Sequence, residues 1–511
     1  MLPNILSLLL ITLLTKSLEI VLKLSISYTL GVDNLADIYW SVVTLPDYFL
    51  ALSGIINLNG VLNSKFTEYV EKSEEKLYSL YVNILLITFI YAIVISLILF
   101  ISSTGVISYL FPGFEYNKVL TSAYLLRVLV PVIILKAVNL INIALLFSLK
   151  RHKVAVSMNL LSIVIIILFY IAGYFNGDIV MLLIYGNVVA NFIIMILTIY
   201  LCNKKLRLKS IINKFGKDYN EIKAVLYASA LTFTGVLFNQ FYMFSRNYFA
   251  SKIYEGALSV LYYSTTISAL LVNIFYIAFF NYVLTNISRD LVNDKLYASE
   301  RFTKTSLLLL SLFLPLIAVL VVCREEFLVN IYMRGNFSAD DVQLCYTPFM
   351  FETMASVGNF YFLLFSAVLL SLKKYFTLNS FTVTAYVTGI LFNYFLYGLY
   401  GVTGISVASV IVSVSLFITL FVTVINSFEL DFRKSFHLLL PLILTLITIT
   451  VLHFFNTLLH NTLISLFGGI VYLAISTIMA YLFYISVLWI FDRNIISEGY
   501  NVIKGFIASR M

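Results

Sequence analysis

The stretch YSLYVNILLITFIYAIVISLILFISS, residues 78–103, decides the fold class. It carries no charge over more than the ~20 apolar residues that a helix needs to cross the hydrocarbon core of a bilayer. Outward from it, the chain is predicted to hold fourteen such spans, at 4–30, 37–63, 78–103, 119–149, 154–175, 179–201, 224–250, 257–287, 304–332, 343–372, 376–399, 403–428, 436–459 and 463–491. Several are longer than the bilayer requires, which predicts tilt or extension beyond it. Composition agrees: of 511 residues, 61% are hydrophobic and 11% charged, and mean hydropathy is +0.98. A soluble domain is about one quarter charged. The chain therefore reads as an all-α polytopic membrane protein. Its start lacks a basic region, and Lys16 and Glu19 would interrupt an apolar signal core, so no cleavable signal peptide is expected.

Charge placement supports this count and orients it. With the N-terminus in the cytoplasm, only Lys118, Lys252 and Arg334 fall on the outer side. Lys16, Lys23, Arg127, Lys136, Arg246 and Arg324 lie in or near helices, and the rest of the 33 lysines and arginines are cytoplasmic. Such asymmetry places both termini in the cytoplasm. The net charge of +8 is then mostly topology and points to no nucleic-acid partner. The basic segment CNKKLRLKSIINKFGKDYNEIK (202–223) is either a surface helix touching anionic headgroups or a plain connecting loop. It divides the first twelve helices into an N-lobe, 1–201, and a C-lobe, 224–430, and residues 431–511 add two helices and a cytoplasmic tail. A weak repeat supports the division. YLFPGFEYNKVL (109–120) follows helix three, NIYMRGNFSADDV (330–342) follows helix nine, and each puts a turn containing Gly and Phe before the next span. Parallel repeats of this kind are a transporter design with the substrate path between the halves.

Cys202, Cys323 and Cys345 show no CxxC spacing, and His152, His437, His453 and His460 form no ligand pattern. Neither a disulfide framework nor a metal site is expected, and His453 and His460 read as interfacial side chains.

Several segments, taken in order, resemble the MurJ/MviN branch (lipid II flippases and their relatives) of the MOP exporter superfamily. They are LGVDNLADIYWSVVTLPDYF (30–49), PGF (112–114) followed by LLRVLVPVIIL (125–135), Gln240 with FYMFSRNYFAS (241–251), YYSTTISALLVNIFYIAFFNYVLTNISRD (262–290) and RGNFSADDV (334–342). The resemblance covers about residues 1–430. It implies two six-helix lobes in parallel pseudo-repeat plus two C-terminal helices that form a groove for a polyprenyl tail. It also implies a bacterial inner-membrane location, a lipid-linked glycan as substrate, contact with membrane lipids and glycan-assembly enzymes, and no cofactor. The departures concern the arginines expected in the family's central cavity. Lys16 keeps the charge of the first helix-one position. The second falls at Leu22, beside Lys23; the helix-two pair falls at Leu50 and Ala51; and the helix-eight position falls at Thr266. Asp37 matches the family aspartate. The expected substrate is a lipid-linked precursor of a cell-surface polysaccharide or of peptidoglycan, and the missing arginines favour a glycan other than lipid II.

The charges inside the spans are the candidate site. In KSLEIVLK (16–23), Lys16, Glu19 and Lys23 share one helix face. Each would cost about 2.5–3.5 kcal/mol at the centre of a lipid-facing helix, a penalty that a wet cavity removes. Lys16 and Lys23 are candidates for the diphosphate headgroup, with Glu19 as internal counter-ion or proton carrier. The alternative is a self-neutralising triplet whose lysines reach to an interface. Lys136, deep in helix four, is a further headgroup candidate. Asp37 either gates or caps the start of helix two, and Asp47, after Pro46, either bonds freed backbone or pairs with a cavity lysine. Glu352 in helix ten is a candidate coupling group. No GxxxxGK[ST] motif is present, so an ion gradient or the membrane potential is the expected driving force. The outer loops are short, with Arg334, Asp340 and Asp341 their only charge cluster, which disfavours a glycan polymerase and predicts no enzyme. A multidrug exporter of the same superfamily is the remaining alternative.

Overall fold

The computed structural model describes residues 2–206, 219–429 and 432–491. Within them every regular element is a helix: α1 (Leu2–Leu30), α2 (Asn34–Val43), α3 (Leu45–Leu52), α4 (Ile55–Lys72), α5 (Glu74–Leu110), α6 (Tyr116–Ser148), α7 (His152–Asn176), α8 (Ile179–Leu206), α9 (Tyr219–Ala250), α10 (Ala257–Asn293), α11 (Lys295–Val322), α12 (Arg324–Tyr332), α13 (Ala339–Ser371), α14 (Tyr375–Phe428) and α15 (Phe432–Phe491). Part of the basic segment, residues 207–218, and the tail residues 492–511 lie outside the described residues. The surface-helix reading of that segment, and the tail charges Arg493, Lys504 and Arg510, lie there too.

The all-α membrane architecture stands, and the helices depart from the expected spans at identifiable residues. The second span is broken twice, at Thr44 before Pro46 and at Gly54, whose φ of +77° is left-handed. A proline is tolerated in a first helical turn, where its missing N–H would have no partner. The ninth span breaks at Cys323 into α11 and α12. Spans eleven and twelve form one helical run bent at Gly401, and spans thirteen and fourteen one run bent at Gly468. By length and apolar character, ten helices among the described residues suffice to cross a membrane, or eleven if α2–α3 with α4 makes one bent span. The expected fourteen is larger because it also counts α1 with its three mid-helix charges, α9, and the two halves of α14 separately.

The chain folds as two compact units, Met1–Ile26 with Asp33–Leu258, and Ser27–Val32 with Ser259–Met511. In the first, α6 is the central helix, packed by α2, α4, α5 and α8. Polar groups are satisfied between these helices: the Tyr81 hydroxyl donates to Asn142 Oδ1, Asn142 Nδ2 to Thr198, and Thr198 to Asn139 Oδ1. Helix four's asparagines therefore serve helix packing. α5 turns Ile98 and Ile101 outward, as a lipid-facing helix must. In the second unit α11 and α13 are the buried helices, with Phe313 stacked on Phe360 at 4.3 Å between ring centroids. The last turn of α1 belongs to this unit. Asn336 donates from its backbone N–H to Tyr28 O (2.8 Å) and from its side chain to Thr29 O (2.7 Å), satisfying carbonyls that a helix end leaves open.

Candidate functional site

The charges of α1 pair as their spacing predicts. Lys16 Nζ lies 2.8 Å from Glu19 Oε2, and Lys23 Nζ 3.2 Å from Glu19 Oε1. The three side chains are 27, 24 and 24% exposed. One carboxylate between two ammonium groups leaves a single positive charge on this face. An incoming dianion could take both lysines only by displacing Glu19 or by finding it protonated.

The broken second span brings two further carboxylates to defined partners. Asp47, in the first turn of α3, lies 2.6 Å from Lys136 Nζ of α6 and is more than half exposed. The two thus form one pair, the lysine partner being one of the two readings open for Asp47. Asp37 does not cap α2. Asp33 does, accepting from the Asn34 N–H. Asp37 is buried one turn on, where its Oδ2 accepts from Lys118 Nζ (3.0 Å) and from the Gly256 N–H at the start of α10 (2.8 Å). Both side chains are more than nine-tenths buried. The pair borders a polar cavity of ≈ 200 Å³ that is also lined by Glu115, Ser251, Lys252 and Glu255.

Glu352 lies elsewhere, buried in α13 of the second unit, where it accepts a hydrogen bond from Ser409 of α14 (3.2 Å). Arg127 donates to Ser103 and Thr104 of α5 rather than reaching a ligand site. Leu22, Leu50, Ala51 and Thr266, where the family's cavity arginines would fall, are all buried.

Two partners are not legible in the sequence. Lys118 reads as an outer-side charge, yet it completes the Asp37 site across 81 residues of chain. His460 reads as interfacial, yet its Nε2 pairs with Glu326 of α12. The break at Cys323, which starts α12 and so sets Glu326, has no proline or glycine to announce it.

A family model described as lipid II flippase MurJ matches residues 26–460. A curated protein named "Probable lipid II flippase MurJ" from Aquifex aeolicus (strain VF5) is 28% identical over 345 residues, covering 66% of this chain and 65% of that protein. The chain thus spans just under two thirds of the curated relative it matches. Among solved structures, lipid II flippase MurJ in an inward closed conformation superimposes with a TM-score of 0.77 at 17% identity, over 95% of this chain and 99% of the other. An inward-facing MATE multidrug transporter of the MOP superfamily gives 0.64 at 14% identity, over 82% and 95%. These two likenesses establish the shared fold.

Proposed function

The chain belongs to the MurJ family, and from that membership we propose that it is a flippase for a polyprenyl-diphosphate-linked oligosaccharide in the bacterial cytoplasmic membrane. The headgroup crosses by alternating access while the tail stays in lipid, and the membrane potential or an ion gradient drives it. The observation that carries this reading is the family match across residues 26–460. The pairing in α1 supports it: two ammonium groups on one carboxylate are a ready exchange site for a diphosphate.

In this mechanism Lys16 and Lys23 take the diphosphate and Glu19 is released as counter-ion. Lys136 is a second contact, freed from Asp47 when substrate competes for it. Asp37 holds the outer end of the second span, and Glu352 serves coupling in the second unit. The lobes 1–201 and 224–430 are the functional halves, residues 202–223 join them, and the helices of 431–511 guide the lipid tail. Both termini are cytoplasmic. Leu22, Leu50, Ala51 and Thr266 in place of cavity arginines favour a headgroup other than lipid II. Glycan-assembly enzymes are the expected partners.

Depletion in the native cell, followed by mass spectrometry of polyprenyl-diphosphate glycans, tests this. Accumulation of a lipid-linked oligosaccharide other than lipid II supports the full reading. Lipid II accumulation keeps the flippase and overturns the substrate preference. No change in any lipid-linked sugar overturns the flippase and favours a multidrug exporter, whose fold the chain shares.

A further inference from the structure

The two helices of α15 meet at Gly468, whose φ of +79° only glycine adopts without strain. Next to it, Gly469 lets the hairpin tip come against α12, since a Cβ there would overlap Asn330 Nδ2. Asn330 is itself fixed by donating to Glu326 O. One turn from Asn330 on the same short helix, the Glu326 carboxylate, 8% exposed, pairs with the His460 imidazole, 31% exposed. His460 stands edge-on to Tyr472 from the other half of α15. The Tyr472 hydroxyl in turn meets Asn456 and, at 3.5 Å, Cys323 Sγ at the α11–α12 junction.

We propose that Glu326 and His460 form a titratable latch that fastens the tip of the C-terminal hairpin to α12. A buried carboxylate needs a charged partner to offset its desolvation. Imidazole is the side chain whose charge changes near neutral pH. From α12 the Glu326 carboxylate faces His460, and from α15 the ring of Tyr472, with Cys323 behind that hydroxyl. Neither Tyr472 nor Cys323 supplies positive charge, and the neighbouring Arg324 lies over Tyr346 of α13. The ion pair is therefore complete only while His460 is protonated. As pH rises through the imidazole range it falls back to a neutral–charged hydrogen bond, and the tip loosens. With the topology proposed above, this end faces the outer compartment, so the latch reports outer pH. Its link to the path of the lipid tail rests on the flippase reading; the latch itself does not.

The test is a spin label at Leu466→Cys, an exposed position at the tip, in the full chain in lipid nanodiscs. Cys202, Cys323 and Cys345 are buried and leave the introduced thiol as the accessible one. Between about pH 5.5 and 8, which brackets the imidazole range, the mobile fraction of the label should rise about fivefold, as the ion pair gives way to a hydrogen bond with one charged partner. His460→Gln and Glu326→Gln should abolish the pH dependence. His460→Lys should hold the tip immobile across the range, and serves if the Glu326 variant fails to fold. A pH-independent label in the unaltered latch, or the same pH response in His460→Gln, overturns the proposal. Neither outcome requires a transport assay, so failure of the latch and failure of the flippase reading remain distinct.

Discussion

The charges of α1 and those around Asp37 are both ion pairs of the first unit, built in opposite ways. Lys16, Glu19 and Lys23 lie within eight residues, are about a quarter exposed, and use one carboxylate for two cations. Asp37 and Lys118 come from helices 81 residues apart and are nearly sealed, and the Gly256 N–H takes up further acceptor capacity. The first arrangement is partly exposed and carries one more cation than carboxylate. The second is nearly buried and balances one carboxylate with one ammonium group. The contrast is between local, partly exposed charges and a long-range, buried pair, and it predicts different responses to substitution.

The largest effect is expected from Lys118→Ala. It leaves a buried carboxylate without its ammonium partner, and removing one member of such a pair costs about 3–5 kcal/mol. The apparent melting temperature in nanodiscs should drop sharply. The double variant Asp37→Asn with Lys118→Met should recover most of the loss, because it removes both charges together. If Lys118→Ala melts like the unaltered protein, the pair is not structural.

Gly113→Ala probes the same region through packing. The Gly113 N–H donates to Ser251 Oγ at 3.4 Å, and an added Cβ would run into the Ser251 carbonyl oxygen. Backbone must move to make room, and overpacking of this kind costs about 1–3 kcal/mol or more. A lowered melting temperature that a nearby Ser251→Gly does not relieve is expected, because the clash is with backbone.

These two regions also show what can be read from the sequence. The spans are legible because apolar runs are local, and the α1 triplet because i,i+3 and i,i+4 spacing is local. The pairing of Asp47 with a lysine is one reading of two that the sequence leaves open, and the fold selects Lys136. The pair of Asp37 with Lys118 is not legible, since nothing in PGFEYNKVL names a partner on another helix. The same holds for His460 with Glu326. The breaks at Gly54, Gly401 and Gly468 carry glycine, but a glycine in an apolar run is a break only when packing demands the left-handed conformation.

Replacing the α1 lysines should have a small effect on stability and a larger one on export. Lys16→Ala leaves Glu19 paired with Lys23, and Lys23→Ala leaves it paired with Lys16. Partly exposed pairs of this spacing contribute less than about 1 kcal/mol. Melting should therefore change little, whereas export of the lipid-linked glycan, followed as its accumulation on the cytoplasmic leaflet, should fall. Glu19→Ala should also impair export without preventing membrane insertion. Normal export by both Lys16→Ala and Glu19→Ala would remove KSLEIVLK from the transport path.

The smallest effect is expected at Lys295 and Glu429, a pair 2.5 Å apart and largely exposed. It shares the chemistry of the α1 pairs but not the burial of Asp37. The hydrogen bond from Lys295, helped by its charge, lowers the Glu429 carboxyl below its ordinary value of 4.5. A carboxylate depressed in the folded state adds stability above its unfolded value and loses it as pH falls through the folded one. Lys295→Gln should therefore melt slightly lower than the unaltered protein at neutral pH, and the gap should shrink in acid as pH falls below the ordinary carboxyl range and through the lowered folded value. Added salt should close it too, because exposed pairs are screened. A gap that widens in acid would mean that Lys295 acts through packing rather than charge, and that exposure alone does not separate the weak pairs from the structural one.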